Sequence, residues 1–394
     1  MLSRRVAQLE PSATLTITAK AKELKAKGVD IVGFGAGEPD FDTPDFVKEA
    51  CTKALMEGKT KYAPSAGIPE LREALAEKLY RENGVEYKPS EIVVSAGAKM
   101  VLFLIFMSIL NDGDEVLLLS PYWVTYPEQI KLLGGVPIEV PLKEEEGFSP
   151  TAELVAEYIT DKTKAIVLNS PNNPTGAVYS QEELKRIAEL CLERGIFLIS
   201  DECYEAFVYE DKFVSPASFS KEVRDITFTV NAFSKTYSMT GWRVGYVACP
   251  EKYAKVIANL NSQTVSNVTT FAQYGALEAL RNPEAKEYVS RMKTEFQRRR
   301  DRAYELLLTI PEVKVFKPKG AFYIFPDFSF YAEKLGSDLK LTQFLLEEGK
   351  VACVPGSAFG AQGYLRLSYA TSMNNIEKGI ERIRETLEKL AQKD

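Results

Sequence analysis

The segment Asn231-Ala-Phe-Ser234-Lys235-Thr-Tyr-Ser-Met-Thr-Gly241-Trp-Arg243-Val-Gly245 sets a lysine after a strand-like run and an arginine eight residues later. A lysine stripped of water beside other cations sheds its proton easily and becomes a nucleophile able to form an imine with a carbonyl. Arg243 carries the fork of donors that meets a phosphate bidentately. Upstream, Ile196-Phe-Leu-Ile-Ser-Asp201-Glu202 ends an apolar run in two carboxylates, with Tyr204 close behind. A carboxylate in that place can keep a cationic ring nitrogen protonated through a charge-assisted hydrogen bond. Read alone, the same Asp201 serves equally as a helix cap. In Ser95-Ala-Gly97-Ala98-Lys99 small residues join a strand-like run to the apolar helix Met100–Leu110. Backbone N–H groups at such a junction bind anions, although a plain tight turn has the same composition.

The most informative count is zero. Among 394 residues there is no histidine. Ser-His-Asp triads, Cys-His pairs, H-E-x-x-H zinc sites and histidine general bases are thereby excluded. Protons must move through Lys, Asp/Glu, Tyr or Cys, or through a cofactor.

These residues need a scaffold, and the chain supplies one. Strand-like runs at Glu91–Ser95, Glu115–Leu119, Val136–Val140, Ala165–Asn169, Ile196–Asp201, Ile226–Asn231 and Val244–Ala248 alternate with amphipathic segments such as Gln181–Arg194. Runs like Ile-Val-Val and Ile-Phe-Leu-Ile suit strands covered on both faces. The pattern predicts an α/β fold with a large, mainly parallel central sheet and helices on both sides. In such sheets ligands bind beyond the carboxyl ends of the strands, where Asp201 falls. The C-terminal third changes character: a long charged helix over Pro283–Leu308, short strands at Val313–Phe316, Phe322–Phe325, Val351–Val354 and Tyr364–Ser368, and a closing helix Met373–Lys393. That reads as a smaller α+β domain, with the helix Ala13–Lys27 packing on it. The expected division is 1–45 for the N-terminal arm and part of the small domain, 46–285 for the large domain, and 286–394 for the rest of the small domain.

The formal net charge of −6, with basic residues scattered among acidic ones, argues against a nucleic-acid partner. Five dispersed cysteines without a C-x-x-C pair fit neither a disulfide framework nor a cysteine zinc site, and suit a reducing cytoplasm. No apolar run is long enough to span a bilayer, and the first residues lack the apolar stretch of a secretory leader.

Ser-Pro-Asn172-Asn173-Pro174-Thr-Gly176, Ser-Asp201-Glu-x-Tyr204, Ser234-Lys235 and Gly-Trp-Arg243-Val-Gly occur in this order, with Gly35-Ala-Gly37-Glu-Pro-Asp before them and Leu365-Arg366-Leu-Ser after. In this the chain resembles the class I/II (fold-type I) aminotransferases, nearly end to end, and most closely the bacterial and archaeal aspartate aminotransferases of subgroup Iγ. The resemblance implies a pyridoxal 5′-phosphate (PLP) cofactor joined to Lys235 as a Schiff base, with Lys235 also shuttling the proton. It implies that Asp201 pairs with the pyridinium nitrogen, that Tyr204 and Asn173 hydrogen-bond the phenolic oxygen, and that Trp123 stacks on the ring. Gly97, Ala98, Lys99, Ser234 and Arg243 would form the phosphate cup, with Tyr62 supplied by the partner subunit of a homodimer. Arg366 would clamp the substrate α-carboxylate, helped by Asn173 and the backbone of Gly37.

Two positions depart from well-known members. Tyr126 stands three residues after Trp123, where they carry a histidine backing the aspartate. No counterpart is evident for the partner arginine that reads a distal carboxylate; the subgroup's pattern assigns that task to Ser12, Thr14 and Lys99. Relatives that also use prephenate carry a lysine where this chain has Glu10, which argues against prephenate. The resemblance therefore implies a cytoplasmic aspartate:2-oxoglutarate aminotransferase acting on amino acids and 2-oxo acids by ping-pong exchange. An aminotransferase for aromatic or broader substrates, or a C–S lyase of the same fold, are the alternatives.

Overall fold

The computed structural model describes residues 2–391, apart from the side chains of Ala13 and Thr14. Seven strands form the central sheet: β1 (Ile92–Ser95), β2 (Glu115–Ser120), β3 (Val136–Pro141), β4 (Thr163–Asn169), β5 (Phe197–Asp201), β6 (Thr227–Ala232) and β7 (Gly245–Ala248). Their order is β1-β7-β6-β5-β4-β2-β3. All neighbours are parallel except β7, which runs antiparallel to both β1 and β6. All seven expected strands form. Side chains on β1, β6 and β7 are buried along the whole strand, including the polar Ser95, Thr227, Thr229 and Asn231, as strands covered on both faces require.

Helices cover both faces. The helix Gly97–Ile109 buries Val101, Leu102, Leu104, Ile105 and Phe106 against Val93, Phe228 and Val247. It is apolar nearly all round because it lies inside the molecule. Gln181–Arg194 is amphipathic instead: Leu184, Ile187, Ala188 and Cys191 pack on Ile166 and Leu198. Ser180 caps its first turn and the left-handed Gly195 ends it, so both limits are written in the sequence.

The C-terminal third packs on the sheet edge that holds the strand ends. The helix Glu284–Leu307 contributes Met292, Phe296 and Leu307 to a core shared with Tyr204, Phe207, Phe322 and Tyr323. Tyr323–Ile324, Leu365–Ser368 and Val354–Pro355 make a small antiparallel sheet. The expected strand Val313–Phe316 is absent; one bridge joins Lys314 to Asp327 there, in a stretch flanked by Pro311 and Pro318, which lack the N–H a ladder needs. Val351–Val354 divides into two short strands: Val351–Ala352 pairs with Val32–Gly33, and Val354–Pro355 pairs with Leu365 and Arg366. The helix Ala13–Ala26 packs through Ala21 on Ile31 and Ala352. The closing helix runs over Met373–Ala391, with Ile376, Ile380, Ile383 and Leu387 buried; its expected last residues lie outside those described. Among the described residues no helix is long and apolar enough to cross a membrane.

Candidate active site

Parallel register aligns the ends of β4, β5 and β6, and a cavity of about 390 Å³ opens there, walled by their last residues Asn169, Asp201 and Ala232. Lys235 projects into it from a short helical turn, Phe233–Thr236, that directly follows β6. Its amine donates to the carbonyl oxygen of Gly37. Burial pulls the Lys235 pKa down to about 8, and the cations Arg366 and Arg243 push the same way against Cys203 and Glu38. The lysine is thus easily made neutral and nucleophilic.

Asp201 ends β5 and is buried, with 4% of its surface exposed. Tyr126 donates its hydroxyl to Oδ2, the backbone N–H of Cys203 donates to Oδ1 at 3.3 Å, and Asn169 Nδ2 reaches the Asp201 carbonyl at 3.2 Å. Burial raises the Asp201 pKa, partly offset by the Tyr126 and Cys203 hydrogen bonds. A carboxylate with that proton affinity binds a cationic N–H strongly. Trp123 makes an edge-on contact with Tyr126 at 5.5 Å between ring centroids.

At one end of the cavity positive charge accumulates. Among the described residues no side chain caps the N-terminus of Gly97–Ile109, which leaves its first N–H groups for a ligand. Gly97 has φ +81°, and a Cβ there would lie 2.5 Å from Nη2 of Arg243; one on Gly245 would lie 2.6 Å from the amide nitrogen of Ala98. Glycine at 97 lets the arginine lie over the helix start, and glycine at 245 lets β7 approach the backbone of that first turn. Arg243 is left-handed (φ +57°) and its Nη1 donates to the carbonyl of Thr240 at 2.8 Å. Lys99 lies 5.1 Å from the Trp123 ring centroid, its pKa lowered by burial and by Arg243. Ser234 joins them in the wall.

At the other end is Arg366, buried between the rings of Tyr323 and Phe359, 4.5 and 5.1 Å from their centroids. Nη1 donates to Oδ1 of Asn173 at 3.0 Å and Nη2 to the carbonyl of Gly35 at 2.9 Å, while Nε is buried without a partner. A buried guanidinium with no carboxylate bound to it is set up for an external one.

The cavity wall thus brings together Lys235, Asp201, Tyr204, Asn173, Trp123, Ala98, Lys99, Ser234, Arg243, Gly37, Ser12 and Arg366. Gly97 underlies it through its contact with Arg243. Tyr62 does not reach it: its side chain is 90% exposed on the chain's own surface. The side chain of Thr14 lies outside those described. Ser12 caps the helix Ala13–Ala26, accepting from the Leu15 N–H at 3.4 Å, and Thr18 and Lys22 follow it along the wall. Tyr323 is the main residue that sequence reading missed. Its hydroxyl lies 2.7 Å from that of Tyr204, and its ring carries Arg366. The only local signal was a tyrosine among apolar neighbours; the pairing of Ser368 with Tyr323, which sets it beside Arg366, is visible only in the fold.

An α/β scaffold that brings a buried lysine, a buried carboxylate, Arg243 and Arg366 to one cavity is suited to imine chemistry on an anionic substrate. The profile of the family described as Aminotransferase class I and II matches residues 29–383, and the chain belongs to that family. It is 75% identical to a protein of Aquifex aeolicus named "Probable aspartate/prephenate aminotransferase", over 99% of each chain. It is 49% identical to the aspartate aminotransferase of Bacillus sp. strain YM-2, over 97% of this chain and 98% of that one. The structure of Thermus thermophilus aspartate aminotransferase with maleate superposes with a TM-score of 0.94 at 48% identity, covering 98% of this chain and 99% of the other.

Proposed function

We propose that this protein is an aspartate:2-oxoglutarate aminotransferase that uses PLP bound at Lys235. The observation that carries the reading is a single cavity with a nucleophilic lysine between a phosphate-sized cationic cradle and a buried, carboxylate-free arginine. The residues fit PLP. Arg243, Ser234 and the N–H groups at the start of Gly97–Ile109 suit its phosphate, Asp201 its ring nitrogen, and Tyr204 and Asn173 its phenolic oxygen. When bound, PLP supplies an electron sink that makes the substrate Cα–H acidic.

The chain's own groups supply the rest. Arg366 binds the α-carboxylate and orients the amino acid. Asp201, supported by Tyr126, keeps a proton on the ring nitrogen. Lys235 Nζ, once free, would take the proton leaving the substrate Cα and deliver it to the cofactor's C4′, so that one amine serves both ends of the transfer. Its pKa, lowered to about 8, keeps the amine basic while leaving far more of it unprotonated near neutrality than in an ordinary lysine. Lys99 and Ser12 are assigned to the distal carboxylate, in keeping with the maleate in the T. thermophilus structure. Thr14 is assigned with them from sequence alone.

The same reading includes a cytoplasmic homodimer in which Tyr62 enters the partner's site, and the division 1–45, 46–285 and 286–394. An exposed aromatic that reaches nothing in its own cavity supports the shared site. A second reading adds prephenate as amino acceptor. The A. aeolicus relative carries prephenate in its name, and Glu10 is exposed and stands outside the cavity wall.

One spectroscopic experiment tests the proposal. Purified protein with PLP is expected to show a pH-dependent visible band that aspartate bleaches and 2-oxoglutarate restores. Lys235→Ala that kept the same band would refute the lysine assignment. Negligible turnover of aspartate beside phenylalanine, alanine or kynurenine would refute the substrate, and prephenate offered in place of 2-oxoglutarate decides the second reading.

A further inference from the structure

Two chain segments carry the reacting groups: residues 201–204 at the end of β5, and residues 232–235 at the end of β6. Together they form a thin partition. Asp201, Cys203, Tyr204, Ala232, Ser234 and Lys235 face the cavity described above. Glu205, Asn231, Phe233 and Thr236 face a second cleft of about 920 Å³ on the opposite side.

On that rear side the two segments are tied together through one carboxylate. Glu205 Oε1 accepts from Asn231 Nδ2 at 2.9 Å and from the Lys78 amine, and Oε2 accepts from Asn83 Nδ2 at 2.7 Å. Lys78 also donates to Asn83 Oδ1 at 2.7 Å. Both belong to the helix Pro69–Asn83, and Lys78 is 6% exposed. Asn231 Oδ1 in turn accepts from the Ala232 N–H at 2.7 Å, at the root of the turn bearing Lys235. Glu205 is covalently next to Tyr204, and the Lys235 amine lies 5.9 Å from the Tyr204 ring centroid.

We infer that Glu205 is a positioning residue: held by Lys78, Asn83 and Asn231, it fixes the Tyr204 segment against the Lys235 segment from behind the active site. The inference rests on the PLP reading above. Its physical ground is that a buried lysine paired with a partly buried carboxylate, both held by further hydrogen bonds, favours one geometry. Small displacements of a reacting group are costly, and a shift of about 1 Å costs on the order of 100-fold in rate.

The test uses the PLP-loaded protein and two variants, Glu205→Gln and Asn231→Ala. The second leaves the Lys78–Glu205 pair in place but removes both the Asn231 donor to Glu205 and the Asn231 acceptor for the Ala232 N–H. It thus severs the link between the two segments and keeps the question open to refutation if the first does not fold. Three quantities are read: the pH midpoint of the visible band, kcat and KM for aspartate, and Tm. Expected are a midpoint displaced by about half a pH unit or more and kcat lowered about tenfold. KM should stay within about twofold, because Arg366 is untouched. A fall in Tm with an unchanged midpoint and kcat would reduce Glu205 to a purely structural part and overturn the inference. Absence of any visible band in the parent protein would instead overturn the PLP reading, so the two failures are told apart.

Discussion

The Tyr126 hydroxyl donates to Oδ2 of Asp201, and both groups are shut away from water. Tyr126 reaches Asp201 from the helix Thr125–Leu132, across the floor of the cavity, and its ring meets Trp123 edge-on. The support of Asp201 and the placement of Trp123 are therefore one packing unit.

That pairing makes Tyr126→Phe an informative substitution. A hydrogen bond to a charged group contributes about 1.5–3 kcal/mol, and its loss leaves Asp201 with a still higher proton affinity and a looser orientation. The expected result is a kcat lowered about tenfold and faster loss of PLP on dialysis, with KM for aspartate little changed. Equal retention and equal kcat would show that the backbone N–H of Cys203 suffices.

The lowered pKa of Lys235 sets a pH dependence for cofactor uptake. A depressed lysine is neutral above its folded value, so the rate at which cofactor-free protein takes up PLP should rise with pH and level off above about 8. Stopped-flow absorbance gives the midpoint. A midpoint near the ordinary lysine range, about 10.4, would mean that the amine is in water.

Arg366 is held between two rings with its fork aimed by Asn173 and Gly35. Lysine cannot reproduce either the two parallel donors or the stacking. Arg366→Lys is expected to lower kcat/KM for aspartate about 100-fold, equivalent to about 3 kcal/mol. The effect should be similar for alanine and phenylalanine, since all share the α-carboxylate. Loss confined to aspartate would move Arg366 to the distal carboxylate.

Glu202 gives a stability prediction. Ser200 and Ser215 donate to Oε1 at 2.9 and 2.7 Å, Oε2 is buried without a partner, and burial, with Glu205 nearby, raises its pKa from 4.5 to about 8. A raised acid favours the folded chain while protonated. Its contribution is complete below about 4.5 and is lost as pH rises through about 8. Glu202→Gln keeps the neutral shape, so its Tm relative to the parent protein should be several degrees higher at pH 9 than at pH 5. A pH-independent difference would mean that Glu202 is already charged in the fold.

Much of this protein is decided locally. The missing histidines, the apolar runs that become β1 to β7, the capped helix Gln181–Arg194 and the lysine, aspartate and arginine motifs are all properties of short segments. Where backbone hydrogen bonding and side-chain type suffice, sequence determines the outcome. The short strands near residues 313–316 and 351–354 were less legible, because pairing there depends on partners far along the chain and on prolines that withhold an N–H. The site needed the tertiary structure for the same reason. Tyr323 gains its role only when its strand pairs with that of Arg366, and Gly97 and Gly245 matter only because Arg243 and Ala98 come so close. Glu205 meets Lys78 and Asn231 only once a distant helix packs behind the sheet. Local chemistry chose the reacting groups, whereas long-range packing decided which of them face one cavity and at what pKa.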